Sequence, residues 1–368
     1  MKIYDNLREK IIDKDNLRLA HYNARKDKAF YQEVQMVDSN LDFYIDEIHN
    51  MLKNKEYIIE SSDYTISIIN DKWKERELAK LNYYPHRIIQ WTIMLILEPI
   101  FMEVFCYHTC ASLKWWWIHK AYNLVRKYLK DWNWTLYCLK IDIKKFYPSI
   151  DHQILKDLLR RKIRCKDTLR ILDMIIDSTP WDKWIPIWSY LSQYLANYYL
   201  AYFDHYMKEV LKCHYVIRYM DDIVVLSDNK PFLHKTLELM RNNLTNLKLE
   251  IKWNYQVFPV EARWIDFVWY RFFHNYTLLR RKTCKRMKKK LKKIKEDKTE
   301  RHRLLSYSEW CSINSYIGWM QYCNHYRLYE KYIKCLLWWL NKYYYFVVTN
   351  KNKKKTMKYY RNIKDKQY

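Results

Sequence analysis

Two acidic clusters carry the chemistry legible in this chain. The first is Tyr219-Met220-Asp221-Asp222, set between Tyr215-Val216-Ile217 and Ile223-Val224-Val225-Leu226. Both flanking runs are short and β-branched, so they predict two strands with the acidic pair at the turn. Adjacent carboxylates at a hairpin tip repel each other, and a hard cation such as Mg²⁺ relieves that repulsion. A solvated Asp-Asp turn is the plain alternative, since Asp favours turns for local hydrogen-bonding reasons. The second cluster is Leu139-Lys140-Ile141-Asp142-Ile143. Its apolar alternation predicts a strand that ends near Asp142. One carboxylate from that strand and two from a neighbouring hairpin would hold two metal ions side by side. Such a pair activates an attacking hydroxyl and neutralises a leaving pyrophosphate.

These residues need a scaffold, and the flanking sequence outlines one. Leu41, Tyr44, Ile45, Ile48 and Leu52 keep a helical stripe in the polar first 60 residues. Residues 56–80 alternate and then turn basic at Lys72-Trp73-Lys74-Glu75-Arg76. A strand–turn–strand with Lys74 and Arg76 at its tip is a phosphate grip, or else an exposed solvated turn. A helix is expected from Ala121 to Leu129 and another from Asp151 to Ile163, with Asp151 as its N-cap. Leu247 to Lys252 alternates as an edge strand. Residues 280–303 hold 14 Lys or Arg against 3 acids. Met287, Leu291 and Ile294 keep helical spacing there, which predicts an amphipathic basic helix suited to a nucleic-acid backbone. Its candidate contacts are Lys285, Arg286, Lys289, Lys292 and Lys293. An aromatic helical pair follows over 306–345.

In this order and spacing the chain resembles a reverse transcriptase, with Asp142 in the first catalytic motif and the Tyr-Met-Asp-Asp box as the second. The resemblance covers roughly residues 56–335. It implies an α+β right-hand polymerase with fingers, a ferredoxin-like βαββαβ palm and a helical thumb. The implied boundaries are 1–55 for an N-terminal helical extension, 56–135 for fingers and 136–278 for palm, with 152–200 partly fingers. The thumb then spans 279–348 and a basic tail 349–368. The implied catalytic and metal-binding residues are Asp142, Asp221 and Asp222, with two Mg²⁺ ions, or Mn²⁺ in their place. Lys74 and Arg76 would grip the triphosphate of a deoxynucleotide, and Tyr147 would exclude a 2′-hydroxyl. Gln193 would touch the incoming nucleotide, and Lys252 would be a general acid toward pyrophosphate. His119 and Lys120 leave a turn that resembles a template-contacting loop. The segment from Val257 to Phe273 resembles the last palm hairpin. For Tyr147 a core aromatic, and for Lys252 a surface lysine, are the bland alternatives.

The Ser192-Gln193 pair after Ile185-Pro186-Ile187 resembles the diversity-generating retroelement lineage, although Ser189 replaces a commoner Asn. That lineage implies error-prone copying of a template RNA at adenines, and a small basic accessory protein as partner. Retron-like, defence-associated or group II intron-like stand-alone enzymes are the rivals within the class. An inactive RNA-binding protein on the same scaffold is the rival outside it.

Composition agrees with a polyanionic partner. The 368 residues carry 67 Lys plus Arg against 41 Asp plus Glu, a formal net charge of +26. No run has membrane-spanning length and no signal peptide is evident, so template RNA, primer and deoxynucleotides are the expected partners, no membrane is, and the cytoplasm is the expected setting. The nine Cys are scattered and read as reduced thiols.

One feature of composition is abnormal. The chain has a single Gly, Gly318, and 17 Trp, where an ordinary protein has roughly 7% Gly. Trp184, Trp188, Trp264, Trp269 and the run Trp115-Trp116-Trp117 stand where turn chemistry asks for Gly, and the family resembled usually has Gly there. A gene whose code reads UGA as glycine, translated as if UGA meant tryptophan, would account for them. Trp91 and Trp319 lie in apolar helical context and read as authentic.

Overall fold

The computed structural model describes residues 2–71, 74–113, 118–179, 182–186, 189–301, 305–337 and 340. The expected flexible tail, the 115–117 turn and Trp188 lie outside the described residues. The chain divides into two compact units, residues 1–259 and 260–368.

The first unit opens with four helices, α1 (Arg8–Ile12), α2 (Lys14–Ala24), α3 (Gln32–Ser39) and α4 (Leu41–Lys53). The α4 stripe is as its spacing requires, with Ile45 and Ile48 fully buried and Leu52 nearly so. Burying each such side chain contributes about 1.5–3 kcal/mol. A two-stranded hairpin follows, β1 (Tyr64–Asp71) with β2 (Lys74–Leu81), in antiparallel register. Next come α5 (Ile88–Met102), which is apolar all round and therefore buried, and α6 (Ile118–Tyr128).

The centre of the unit is a four-stranded antiparallel sheet. Its strands are β3 (Tyr137–Asp142), β4 (Tyr215–Tyr219), β5 (Asp222–Ser227) and β6 (Gln256–Pro259). Helices α7 (Phe146–Ser149), α8 (His152–Arg160), α9 (Lys166–Asp177), α10 (Tyr190–Tyr199) and α11 (Ala201–His205) lie between β3 and β4 in the chain, and α12 (Lys230–Asn246) between β5 and β6. The spatial order is β4-β5-β3-β6 with every pair antiparallel. This is the βαββαβ ferredoxin-like arrangement that the resemblance implies. Asp151 caps α8 by accepting from the Ile154 amide, as expected, and its other oxygen lies 2.6 Å from Lys248 Nζ.

Two strand expectations need correction. Residues 247–252 form no edge strand: Lys248 takes a left-handed φ of 54° at the end of α12, and only Ile251 bridges to Ile143. The left-handed residue breaks the alternation that the side-chain pattern suggests. The segment from Val257 to Phe273 is also not one hairpin of the central sheet. Its start, β6, completes that sheet. The rest belongs to the second unit as β7 (Ile265–Phe267), β8 (Tyr270–Phe272) and β9 (Thr277–Leu279), a separate three-stranded sheet.

In that second unit α13 (Arg281–Arg301) buries Met287, Leu291 and Ile294 and packs against α14 (Tyr307–Met320) and α15 (Tyr326–Tyr332). Ser306 and Glu309 close α14 with a capping box.

Candidate active site

Strand register brings the two acidic clusters together. In the β3–β5 ladder Asp142 lies directly opposite Asp222. The turn between β4 and β5 is tight because Met220 adopts φ 56°, which turns the chain within two residues. The Ile143 amide donates to the Asp221 carbonyl at 3.0 Å and ties the strand end to that turn. The Lys252 amide donates to the Asp142 carbonyl at 2.9 Å, which fixes the strand end from its other side.

The side chains carry the electrostatic mark of crowded carboxylates. Burial pushes the Asp222 carboxyl up to about 7; the charges of Asp142 and Asp221 add to that, while Lys140 opposes it. Lys140 Nζ sits 3.4 Å from Asp222 Oδ2. Asp222 Oδ1 is buried with no hydrogen-bond donor. Lys252 Nζ lies 2.5 Å from Asp142 Oδ1 and forms an ion pair with it. An acceptor left open as Asp222 Oδ1 is suits a hard divalent ion, whose ligands are oxygens. Among the described residues no three acidic, His or Cys side chains converge as a preformed cage. Mg²⁺ commonly needs none, since it takes one or two carboxylates plus substrate phosphates and water.

The remaining candidates fall in several places. Tyr147, on α7, places its hydroxyl 3.8 Å from Met220 Sδ beside the acidic turn. Burial, then the Asp221 charge, raises its phenol. Gln193 is half-buried on α10, whose N-cap Ser189 accepts from the Ser192 amide. Lys252 reaches Asp142, as above. Lys74 pairs with Asp71, and Arg76 with Ile69, in the β1–β2 backbone register; their side chains lie outside the described set. His119 is half-buried and burial lowers its imidazole. Lys120 is less available than a surface lysine: its Nζ donates to the Thr109 carbonyl at 3.3 Å, sits 4.5 Å over the Tyr107 ring, and is lowered by burial to about 8. Lys285, Arg286, Lys289, Lys292 and Lys293 are all exposed on one side of α13.

Sequence reasoning missed the support beneath the turn. Arg218, in β4, is completely buried and forks onto the equally buried Asp204, with Nε–Oδ1 at 2.7 Å and Nη2–Oδ2 at 2.5 Å. Its Nη1 donates to Asn197 Oδ1 at 3.1 Å and to the Met220 carbonyl at 3.2 Å. Thr109 donates to Asp204, and Asn197 Nδ2 donates to the Ala111 carbonyl. Burial pushes the Asp204 carboxyl up, but Arg218 outweighs it and the net shift is downward. The signal was present: a lone Arg inside an apolar strand can only be buried with a partner.

Comparison with known proteins decides the family. A profile described as reverse transcriptase (RNA-dependent DNA polymerase) matches residues 74–265, just over half of the chain. The chain belongs to the reverse transcriptase family. Its fold is accordingly the α+β right-hand polymerase. Solved structures with similarity include apo telomerase from Candida tropicalis, at 12% identity and TM-score 0.44, covering 57% of this chain and 46% of that one. Candida tropicalis telomerase with the TWJ fragment of telomeric RNA is similar at 11% identity and TM-score 0.44, covering 62% and 47%. The chain thus spans about half the length of those telomerase chains. No curated protein matches it. No described helix is long and apolar enough to cross a membrane.

Proposed function

We propose that this reverse transcriptase synthesises DNA on an RNA template, using Asp142, Asp221 and Asp222 as the ligands of two divalent metal ions, Mg²⁺ above all. The observation that carries the reading is the register of Asp142 opposite Asp222, with Asp222 Oδ1 left without a donor and burial, helped by the neighbouring carboxylates, raising Asp222 to about 7. Bound there, the ions would supply activation of a primer 3′-hydroxyl and neutralisation of the departing pyrophosphate. The protein's part is to hold the carboxylates close on a rigid sheet, so that their repulsion is relieved only when cations and substrate phosphates arrive together.

Other residues act on the substrate in this reading. Tyr147 beside Met220 gives a bulky floor to the nucleotide sugar and disfavours a 2′-hydroxyl. Lys252, touching Asp142, can donate a proton toward pyrophosphate. Gln193 on α10 helps hold the nucleotide, and Lys74 and Arg76 grip its phosphates. The exposed cations of α13 follow a duplex backbone. The Ser192-Gln193 block favours a diversity-generating retroelement enzyme that works with a small basic accessory protein in a bacterial or phage-infected cytoplasm.

The test is primer extension with an RNA template, deoxynucleotides and Mg²⁺. Template-dependent DNA that disappears when the metal is chelated is expected. Absence of product on every RNA template, or product that survives chelation, contradicts the reading. Sequencing product copied from the RNA of the neighbouring locus tests the lineage: errors clustered at template adenines support it, and faithful copies refute it.

A further inference from the structure

Two backbone positions require a residue that the sequence does not supply. Trp184 has φ 94° and Trp269 φ 72°. Every other described residue with positive φ lies between 40° and 63°, in or beside the small left-handed basin that a Cβ tolerates. Trp184 lies well beyond that basin and Trp269 at its far edge.

At position 184 the backbone is held from several sides. Residues 182–184 run antiparallel to residues 150–152. The His152 amide donates to the Asp182 carbonyl at 3.1 Å, and the Trp184 amide to the Ile150 carbonyl at 3.0 Å. Between them Asp151 bridges Lys183. The Trp184 carbonyl accepts from His152 Nε2 at 2.9 Å and from Thr179 Oγ1 at 3.1 Å. A φ fixed by so many bonds cannot relax, so a residue with a Cβ is strained there and glycine is not.

At position 269 the requirement comes from the turn. Phe267 pairs with Tyr270, so Val268-Trp269 is a two-residue β7–β8 hairpin loop, and both of its φ angles are positive. Such a loop favours glycine at its second place. The Trp269 ring lies 6.2 Å from that of Trp319 and is 44% exposed, so glycine there would give up little burial.

The glycine that the sequence does contain stands where the fold has no need of one. Gly318 lies inside α14, where an added Cβ would meet nothing within 4 Å, and glycine weakens a helix interior. Other tryptophans use their rings. Trp91 stacks on Tyr190 at 4.3 Å between centroids and 9° between planes, and Trp319 meets the edge of Tyr316 at 5.9 Å.

We infer that positions 184 and 269 are glycine in the living protein, encoded by UGA, while Trp91 and Trp319 are tryptophan in the same chain. Glycine at 184 is then a positioning residue for the polymerase. The segment that it closes braces α7: the Ile185 amide donates to the Tyr147 carbonyl at 3.4 Å, next to the Trp184–Ile150 bond. An unstrained turn at 184 holds Tyr147 in place. This consequence rests on the proposed role of Tyr147 at the nucleotide sugar; the identity of the two residues does not.

Mass spectrometry of the protein isolated from its host decides the identity. Peptides spanning 184 and 269 at glycine mass, and peptides spanning 91 and 319 at tryptophan mass, are expected. Tryptophan at 184 or 269 overturns the inference for that position, and glycine at 91 or 319 overturns the assignment of that tryptophan. Thermal unfolding of full chains with defined residues gives a second test. Trp184→Gly and Trp269→Gly should each raise Tm, and Trp184→Ala should raise it less than Trp184→Gly, because alanine keeps the Cβ. Where the unsubstituted chain does not fold, a cooperative transition restored by the two glycine substitutions is the same result. Trp184 is buried, so if tryptophan is native there, both of its substitutions empty a cavity and lower Tm; that fall overturns the inference at 184. For the brace, the preference for deoxynucleotides over ribonucleotides, as a ratio of kcat/KM, should rise in Trp184→Gly, and the rise should vanish when Tyr147→Ala is added. No rise, while Tyr147→Ala alone lowers the preference, overturns the brace and leaves the sugar role standing. A preference untouched by Tyr147→Ala alone refutes the sugar role and the brace with it, and leaves the residue identities standing.

Discussion

Asp222 makes the pH behaviour of the centre predictable. Its folded carboxyl keeps its proton up to about pH 7, whereas an unfolded one loses it near about 3.9. Between those values the folded state binds more protons, so this group's contribution to stability falls as pH rises from about 4 to about 7 and then levels off. A divalent cation needs the carboxylate and so competes with that proton. The Tm gain produced by Mg²⁺ should therefore grow with pH up to about 7, and Asp222→Asn should remove that growth. A gain independent of pH would contradict the assignment. Arg218 gives a second prediction. Arg218→Met strands the buried Asp204 and should cost about 3–5 kcal/mol in denaturant unfolding. Adding Asp204→Leu should restore most of that stability. The bond to the Met220 carbonyl stays broken, so the rate of DNA synthesis should remain low in the double variant. Full recovery of rate would show that the network only stabilises.

Elements differ in how well sequence announced them. Strands β4 and β5 were legible from β-branched runs and the acidic turn from its two carboxylates, because strands buried on both faces read as continuous apolar runs; β3 was read from its apolar stretch and β6 only through the family resemblance. The register that sets Asp142 against Asp222 was expected only in outline, since pairing between distant strands leaves no local mark. The 247–252 alternation misled because a backbone φ at Lys248, not a side-chain pattern, decides there. Helix α13 was legible from Met287, Leu291 and Ile294, and the exposure of the five candidate cations follows from the same period. Replacing Lys285, Arg286, Lys289, Lys292 and Lys293 by Gln should weaken duplex binding and lower the salt slope by roughly 0.7–0.9 for each phosphate left without a cation. An unchanged slope would remove α13 from the nucleic-acid interface.

At the scale of the molecule, a +26 chain brings a polyanion to a sheet that carries crowded carboxylates. Long-range charge favours encounter with nucleic acid, and in the proposed function the three acids would draw cations to the reacting centre. Neither property implies the other, and a protein that only bound RNA would have no use for a buried carboxylate oxygen left without a donor. The most direct test is primer extension on RNA by the wild-type chain and by Asp221→Asn, with RNA binding measured on both. The account predicts that Asp221→Asn abolishes DNA synthesis while RNA affinity stays within about twofold, since the substitution removes one charge at a metal ligand and none at the nucleic-acid contacts. DNA synthesis by Asp221→Asn at the wild-type rate would contradict it.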